Sequence, residues 1–307
     1  MAWIVALLAS IASLFFQASI SAAMPLGEVS LTHVGEVISS RVGLMALARV
    51  GLLLVGVVVW GLAARTPAAS PLLRRGARRQ VGVGANGAVA LPVPGTLTWF
   101  AVAFVVGLLF TVSFAGHAGT TPPIALSLSA DVLHLAAAGA WLGGLTALLV
   151  VAFPATRGQG EHERTRILAP VIARFSNMAV VAIAIVVGSG LVRSLIEVQG
   201  FDGLTGTSYG LVLLAKVGVF LPIIALGAFN NRRTRPACVK AAAAGTSTPA
   251  LGTLRRLITI EAVLGILVVG MAAWLVNLTP PRSAGESGEH ALRGPSVHAP
   301  AWWPPPQ

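Results

Sequence analysis

Seven apolar blocks, each about as long as a helix needs to cross the ~30 Å hydrocarbon core of a bilayer, constrain this chain more than any other feature. They run near 2–21, 42–64, 96–116, 128–152, 174–196, 208–229 and 257–278. In hydrocarbon every backbone N–H and C=O must find a partner inside the segment, which leaves helices or a closed barrel. Blocks of 20 or more residues exceed the length of a barrel strand, so the expected fold is all-α: a polytopic transmembrane helical bundle of about seven spans. Composition agrees, with 55% hydrophobic and 10% charged residues against about 25% charged in an ordinary soluble domain. Mean hydropathy is +0.83.

The net charge of +11 would suit a nucleic-acid binder if the base were clustered on a soluble surface. It is not. Most Lys and Arg fall in alternate connecting segments: Arg65, Arg74, Arg75, Arg78 and Arg79 in the first, Arg157, Arg164, Arg166 and Arg174 in the second, and Arg232, Arg233, Arg235, Lys240, Arg255 and Arg256 in the third. The positive-inside rule puts these segments in the cytoplasm, the amino terminus inside and the carboxyl terminus outside. Residues 1–279 then form one transmembrane domain. Residues 65–95 read as a flexible cytoplasmic link, and 280–307, with its Pro, Gly and Ser, as a disordered extracytoplasmic tail in which His290 and His298 are incidental. The first block ends in small residues (Ser19, Ser21, Ala22, Ala23) like a signal-peptide cleavage site. It has no basic leader and is too long for a signal h-region, so it reads as a retained helix. The single cysteine, Cys238, excludes a disulfide and any Cys-based metal site of the usual spacing.

Ionisable groups inside spans are expensive and therefore mark function or structural pairing. The densest set lies at the outer face. His117 closes the third span, and Asp131 and His134 open the fourth. At 100° per residue Asp131, His134, Ala138 and Trp141 share a helix face, with His134 about 9 Å inside its span. Imidazole plus carboxylate suits a divalent transition metal, so His117, Asp131 and His134 are the candidate metal ligands; helix capping and a hydrogen bond to a carbonyl are the structural alternative. Arg49 and Lys216 read as partners of Asp131 or as anion ligands. Glu261, in the cytoplasmic half of the last span, reads as a cation exit ligand or a partner of the basic rim. Met45 and Met271 are the thioethers placed to serve a copper path, with Lys216 and Glu261 as its other possible members. Arg193 and Glu197 read as a structural i,i+4 pair, Gly139 and Gly143 as a close-packing face, and Pro222 as a kink.

The run Gly116-His117-Ala118, then Ala130-Asp131-Val132-Leu133-His134-Leu135, then Trp141-Leu142-Gly143-Gly144-Leu145 resembles the core of the CopD copper resistance family. Arg174-Phe175-Ser176, Gly188-Ser189-Gly190, Leu204 to Gly210 with Leu213-Leu214-Ala215-Lys216, and Asn277-Leu278-Thr279-Pro280-Pro281 follow in order, and Ser40-Arg41-Val42-Gly43 with Arg49 also fits. The resemblance spans about 30–281 and rests on order and spacing, since each motif alone is weak. It implies a multi-pass protein of the inner (plasma) membrane that carries copper inward, serving copper uptake, homeostasis and resistance, and that works beside or fused to a periplasmic CopC-like copper carrier. The chain departs from the family in having no CopC segment and seven spans where eight are expected, so that Met1 is a late start or the form is a shorter one. The expected function is therefore copper transport with copper ion as cargo and no enzymatic activity. The alternatives are a membrane cytochrome with haem between His117 and His134, and a non-transporting copper chaperone for oxidase assembly.

Overall fold

In a computed structural model the described residues are 2–65, 95–198, 200–278 and 280–282. Among them there are helices and turns and no strand. The link expected over 65–95 and the tail expected over 280–307 fall almost wholly outside the described residues. Seven helices are long and apolar enough to cross a membrane, and the protein is a multi-pass helical membrane protein.

The chain divides into two compact units, residues 1–132 and 133–307. The first holds α1 (Ala2–Ala22), α2 (Leu31–Ile38), α3 (Arg41–Arg65) and α4 (Thr96–Ala115). The short α2 is absent from the hydropathy pattern because eight residues cannot span. It forms because Ser30 and His33 close a capping box at its start, and because Val34 and Val37 bury against Leu14, Ala18 and Ala46. Where α1, α3 and α4 meet, Gly56 lets the Trp3 and Phe104 rings, 5.2 Å apart, sit against the α3 backbone.

Helix α5 (Ile124–Ala147) carries the chain across the boundary at Val132. The second unit continues with α6 (Glu161–Glu197), α7 (Phe201–Thr205), α8 (Ser208–Phe229), α9 (Arg235–Ala243) and α10 (Ala250–Leu275). Two of the basic segments expected as loops are largely helical. The fifth span begins at Glu161, and α9 prolongs the sixth beyond Phe229. Both elongations follow from local sequence. Glu161 and Glu163 sit in the first turn of α6, where carboxylates complement the helix dipole. Helix α9 is joined to α8 by a π-helical turn, Asn230–Thr234, and a second π turn, Leu148–Ala152, closes α5.

Each π turn ends two residues before a proline, Pro154 in one case and Pro236 in the other. A proline ring inside a helix meets the carbonyl four residues earlier and offers no N–H to it. Widening the preceding turn by one residue relieves the clash without breaking the helix. Pro222, expected to kink its span, lies within the continuous α8.

The core of the second unit is a column of buried residues, among them Trp141, Leu145, Leu148, Ile172, Ile223, Leu254 and Ile258. Trp141 stands edge-on to Phe220 at 6.2 Å and packs on Gly265, where an added Cβ would sit 2.9 Å from Leu142 Cδ1 and 3.2 Å from the Trp141 ring. Gly139 and Gly143, expected as the close-packing pair, have nothing near them. The glycine of that helix that receives a neighbour is Gly144, under Phe175. Sequence spacing showed the small residues but not which of them faced inward. Replacing Gly265 by Leu should force α10 away from Trp141 and cost about 1–3 kcal/mol, read as a lowered thermal midpoint in detergent, while Gly139→Leu should leave the midpoint unchanged.

Candidate metal centre and inner cavity

Helix α5 supplies two of the three candidate ligands. Its inward face, read from burial, runs through Asp131, His134, Ala138, Trp141, Leu145 and Leu148, so the helical-face reading is correct for this helix. Asp131 is 7% exposed and engaged within the protein. His134 follows one turn later and is half-buried.

His134 is seated on α6. Its Nδ1 lies 3.0 Å from Ser189 Oγ, and the ring lies beside Gly190, where a Cβ would stand in ordinary van der Waals contact with Cε1 at 3.5 Å. Ser189 is buried and donates its hydroxyl to the Ile185 carbonyl at 2.5 Å, the back-bond a serine makes inside a helix. The Gly188-Ser189-Gly190 run thus provides one hydroxyl for the imidazole and a glycine beside its ring. Lys216, half-buried on α8, is close enough for its charge to act on His134, and Arg193 acts in turn on Lys216.

His117 opens a 3-10 turn, His117–Gly119, in the first unit, and its side chain lies outside the described residues. The turn is held by Arg41, which donates to the Gly116 carbonyl at 3.4 Å and lies 5.7 Å over the Phe114 ring. Gly119 is needed there, because a Cβ would run into Arg41 and the Phe114 carbonyl. Among the described residues no three His, Cys, Asp or Glu side chains gather closely enough to hold a metal.

The other singled-out residues divide. Arg49 donates to Thr111, through Nε to the hydroxyl at 3.2 Å and through Nη2 to the carbonyl at 3.2 Å. Its role is to tie α3 to α4, and the partner is a threonine that charge pattern could not reveal. Met45 on α3 and Met271 on α10 are each half-buried. Glu197 is buried, with its Oε1 lacking a hydrogen-bond partner. Cys238 is fully buried in α9.

Glu261 is the buried carboxylate of the opposite half of the second unit. It is 4% exposed and accepts from Asn230 Nδ2 at 2.5 Å, while Thr234 donates to Asn230 Oδ1 at 3.1 Å. Asn230 and Thr234 are the two ends of the π turn before Pro236, so the widened turn carries the polar pair that meets Glu261. Sequence reading found Glu261 but missed Asn230. The proline two residues past the asparagine's turn was the available signal. Beside Glu261 is a cavity of about 250 Å³, walled by apolar residues such as Trp141 and Phe175 and polar toward Ser176, Asn231 and Arg235. There Ser176 and Arg235 both donate to Asn231 Oδ1, at 3.0 and 2.8 Å.

Residues 169–275 match the family model described as copper resistance protein D. This segment is similar to that family. It contains Ser189, Gly190, Lys216, Asn230 and Glu261, the seat of His134 and the polar side of the cavity. The copper transport protein CutJ of Bacillus subtilis (strain 168) is 32% identical over 184 residues, 60% of this chain and 31% of CutJ. Copper resistance protein D of Pseudomonas syringae pv. tomato is 30% identical over 158 residues, 51% of this chain and 50% of that protein. The chain therefore spans a third to a half of the length of these relatives. No solved structure matches it significantly.

Removing the amide that satisfies Glu261 should be costly. Asn230→Ala leaves a buried carboxylate without its donor and should destabilise the second unit by about 1–3 kcal/mol, measured by denaturation in detergent. Glu261→Gln can still accept from Asn230 and should lose less.

Proposed function

We propose that the chain transports copper across the inner membrane toward the cytoplasm, taking the ion at an outer-side site formed by His117, Asp131 and His134. One observation carries the reading: the imidazole of the candidate ligand His134 rests on Ser189 and Gly190, inside the segment that matches copper resistance protein D. The relatives named for copper transport and copper resistance supply the cargo.

Orientation rests on the distribution of arginine. Basic residues at the ends of α5, α6, α9 and α10 nearest Glu261 mark that half as cytoplasmic by the positive-inside rule, with the amino terminus inside and the carboxyl terminus outside. An ion released from His134 then follows the inward face of α5 to Trp141, seven residues and about 10 Å further along the helix. Trp141 lines the cavity that ends at Glu261, which serves as the exit station. Met271 and Lys216 in the second unit and Met45 in the first are the further candidate members of the pathway. A cation moving inward gains about 2.3 kcal/mol per charge per 100 mV of inside-negative potential. No catalytic step is required, and the protein acts as a transporter and not as an enzyme. A periplasmic CopC-like carrier is the donor this scheme calls for.

Expression should raise cellular copper and copper sensitivity, and His134→Ala should abolish the rise in protein that still reaches the membrane. Unchanged cellular copper, with the purified protein still binding the ion, would replace transport by a chaperone role. A Soret band in the purified protein would replace it by haem binding. A reporter inserted after Gly245 should behave as cytoplasmic, and periplasmic activity there would reverse the direction assigned to the path.

A further inference from the structure

We infer that Ser189 is a positioning residue that holds the proton of neutral His134 on Nδ1, so that Nε2 is the atom offered to the copper ion. The inference rests on the copper-site reading above and adds the identity of the ligating atom and of the group that selects it.

A serine hydroxyl has one proton and two lone pairs. The Ser189 proton is committed to the Ile185 carbonyl at 2.5 Å, with the Val186 carbonyl at 3.3 Å as its alternative. Both are acceptors only. The lone pairs of Ser189 Oγ therefore face His134 Nδ1 at 3.0 Å, and an acceptor there requires a proton on the ring nitrogen. The same edge of the ring packs beside Gly190, with Cε1 at 3.5 Å and Nδ1 at 3.7 Å from where a Cβ would stand. Nε2, across the ring, keeps its lone pair. A hydrogen bond to one ring nitrogen that sets the tautomer and leaves the other to ligate is the general arrangement of metal-binding histidines.

The experiment uses the full chain in detergent, labelled with 15N-histidine, without metal and then titrated with copper. His134→Ala assigns the signal. The expected spectrum has Nδ1 protonated in the metal-free protein. Ser189→Ala should move the population toward the Nε2–H form and weaken copper binding about 10- to 100-fold without changing the number of ions bound. Ser189→Thr, which keeps a hydroxyl able to back-bond to Ile185, should restore both readouts. A role in helix packing alone would move neither the tautomer nor its rescue. A proton on Nε2 in the unmodified chain, or a Ser189→Ala protein with unaltered tautomer and affinity, overturns the inference. Full copper binding by folded His134→Ala protein would remove the copper site and the ligand role of Nε2 together, whereas the position of the proton on the metal-free ring is decided by the spectrum alone.

Discussion

A bilayer gives no water to a backbone amide or a buried side chain, and the arrangement of polar groups in this protein follows from that one constraint. Several of the buried polar groups described above are answered from their own or a neighbouring helix. Arg49 is answered by Thr111, Ser189 by the carbonyl of its own helix and Glu261 by Asn230. Many large apolar side chains along the long helices are exposed, as expected where the solvent is lipid.

Two prolines follow the places where long helices of the second unit widen into π turns. Pro154 and Pro236 each follow a π turn, and the turn before Pro236 puts Asn230 and Thr234 beside a buried acid. The residue that disrupts the hydrogen-bond ladder thereby creates the polar end of the cavity. In the opposite half an imidazole uses a serine already satisfied by its own helix and packs beside a glycine. Trp141 stands between the two regions on the face of α5 that carries His134, and its packing on Gly265 holds α10, and with it Glu261, against that face.

Helical periodicity made the inward face of α5 legible, because a 3.6-residue repeat places Asp131, His134 and Trp141 together whatever they pack against. It could not make their partners legible. Ser189 lies 55 residues from His134 and Asn230 lies 31 from Glu261, and no local rule relates positions so far apart. The glycines show the same limit. Gly139, Gly143 and Gly144 are equivalent as small residues in one helix, but only Gly144 meets a neighbouring ring.

The sequence by itself determined the number of spans, the helical class and the inward face of α5, since these depend on the length and period of apolar runs and on the cost of unpaired backbone in hydrocarbon. Tertiary structure alone decided that Arg49 serves Thr111 and that His134 rests on Ser189 beside Gly190. Those outcomes depend on which helix lies beside which, and that is set by side-chain shape across contacts between distant parts of the chain.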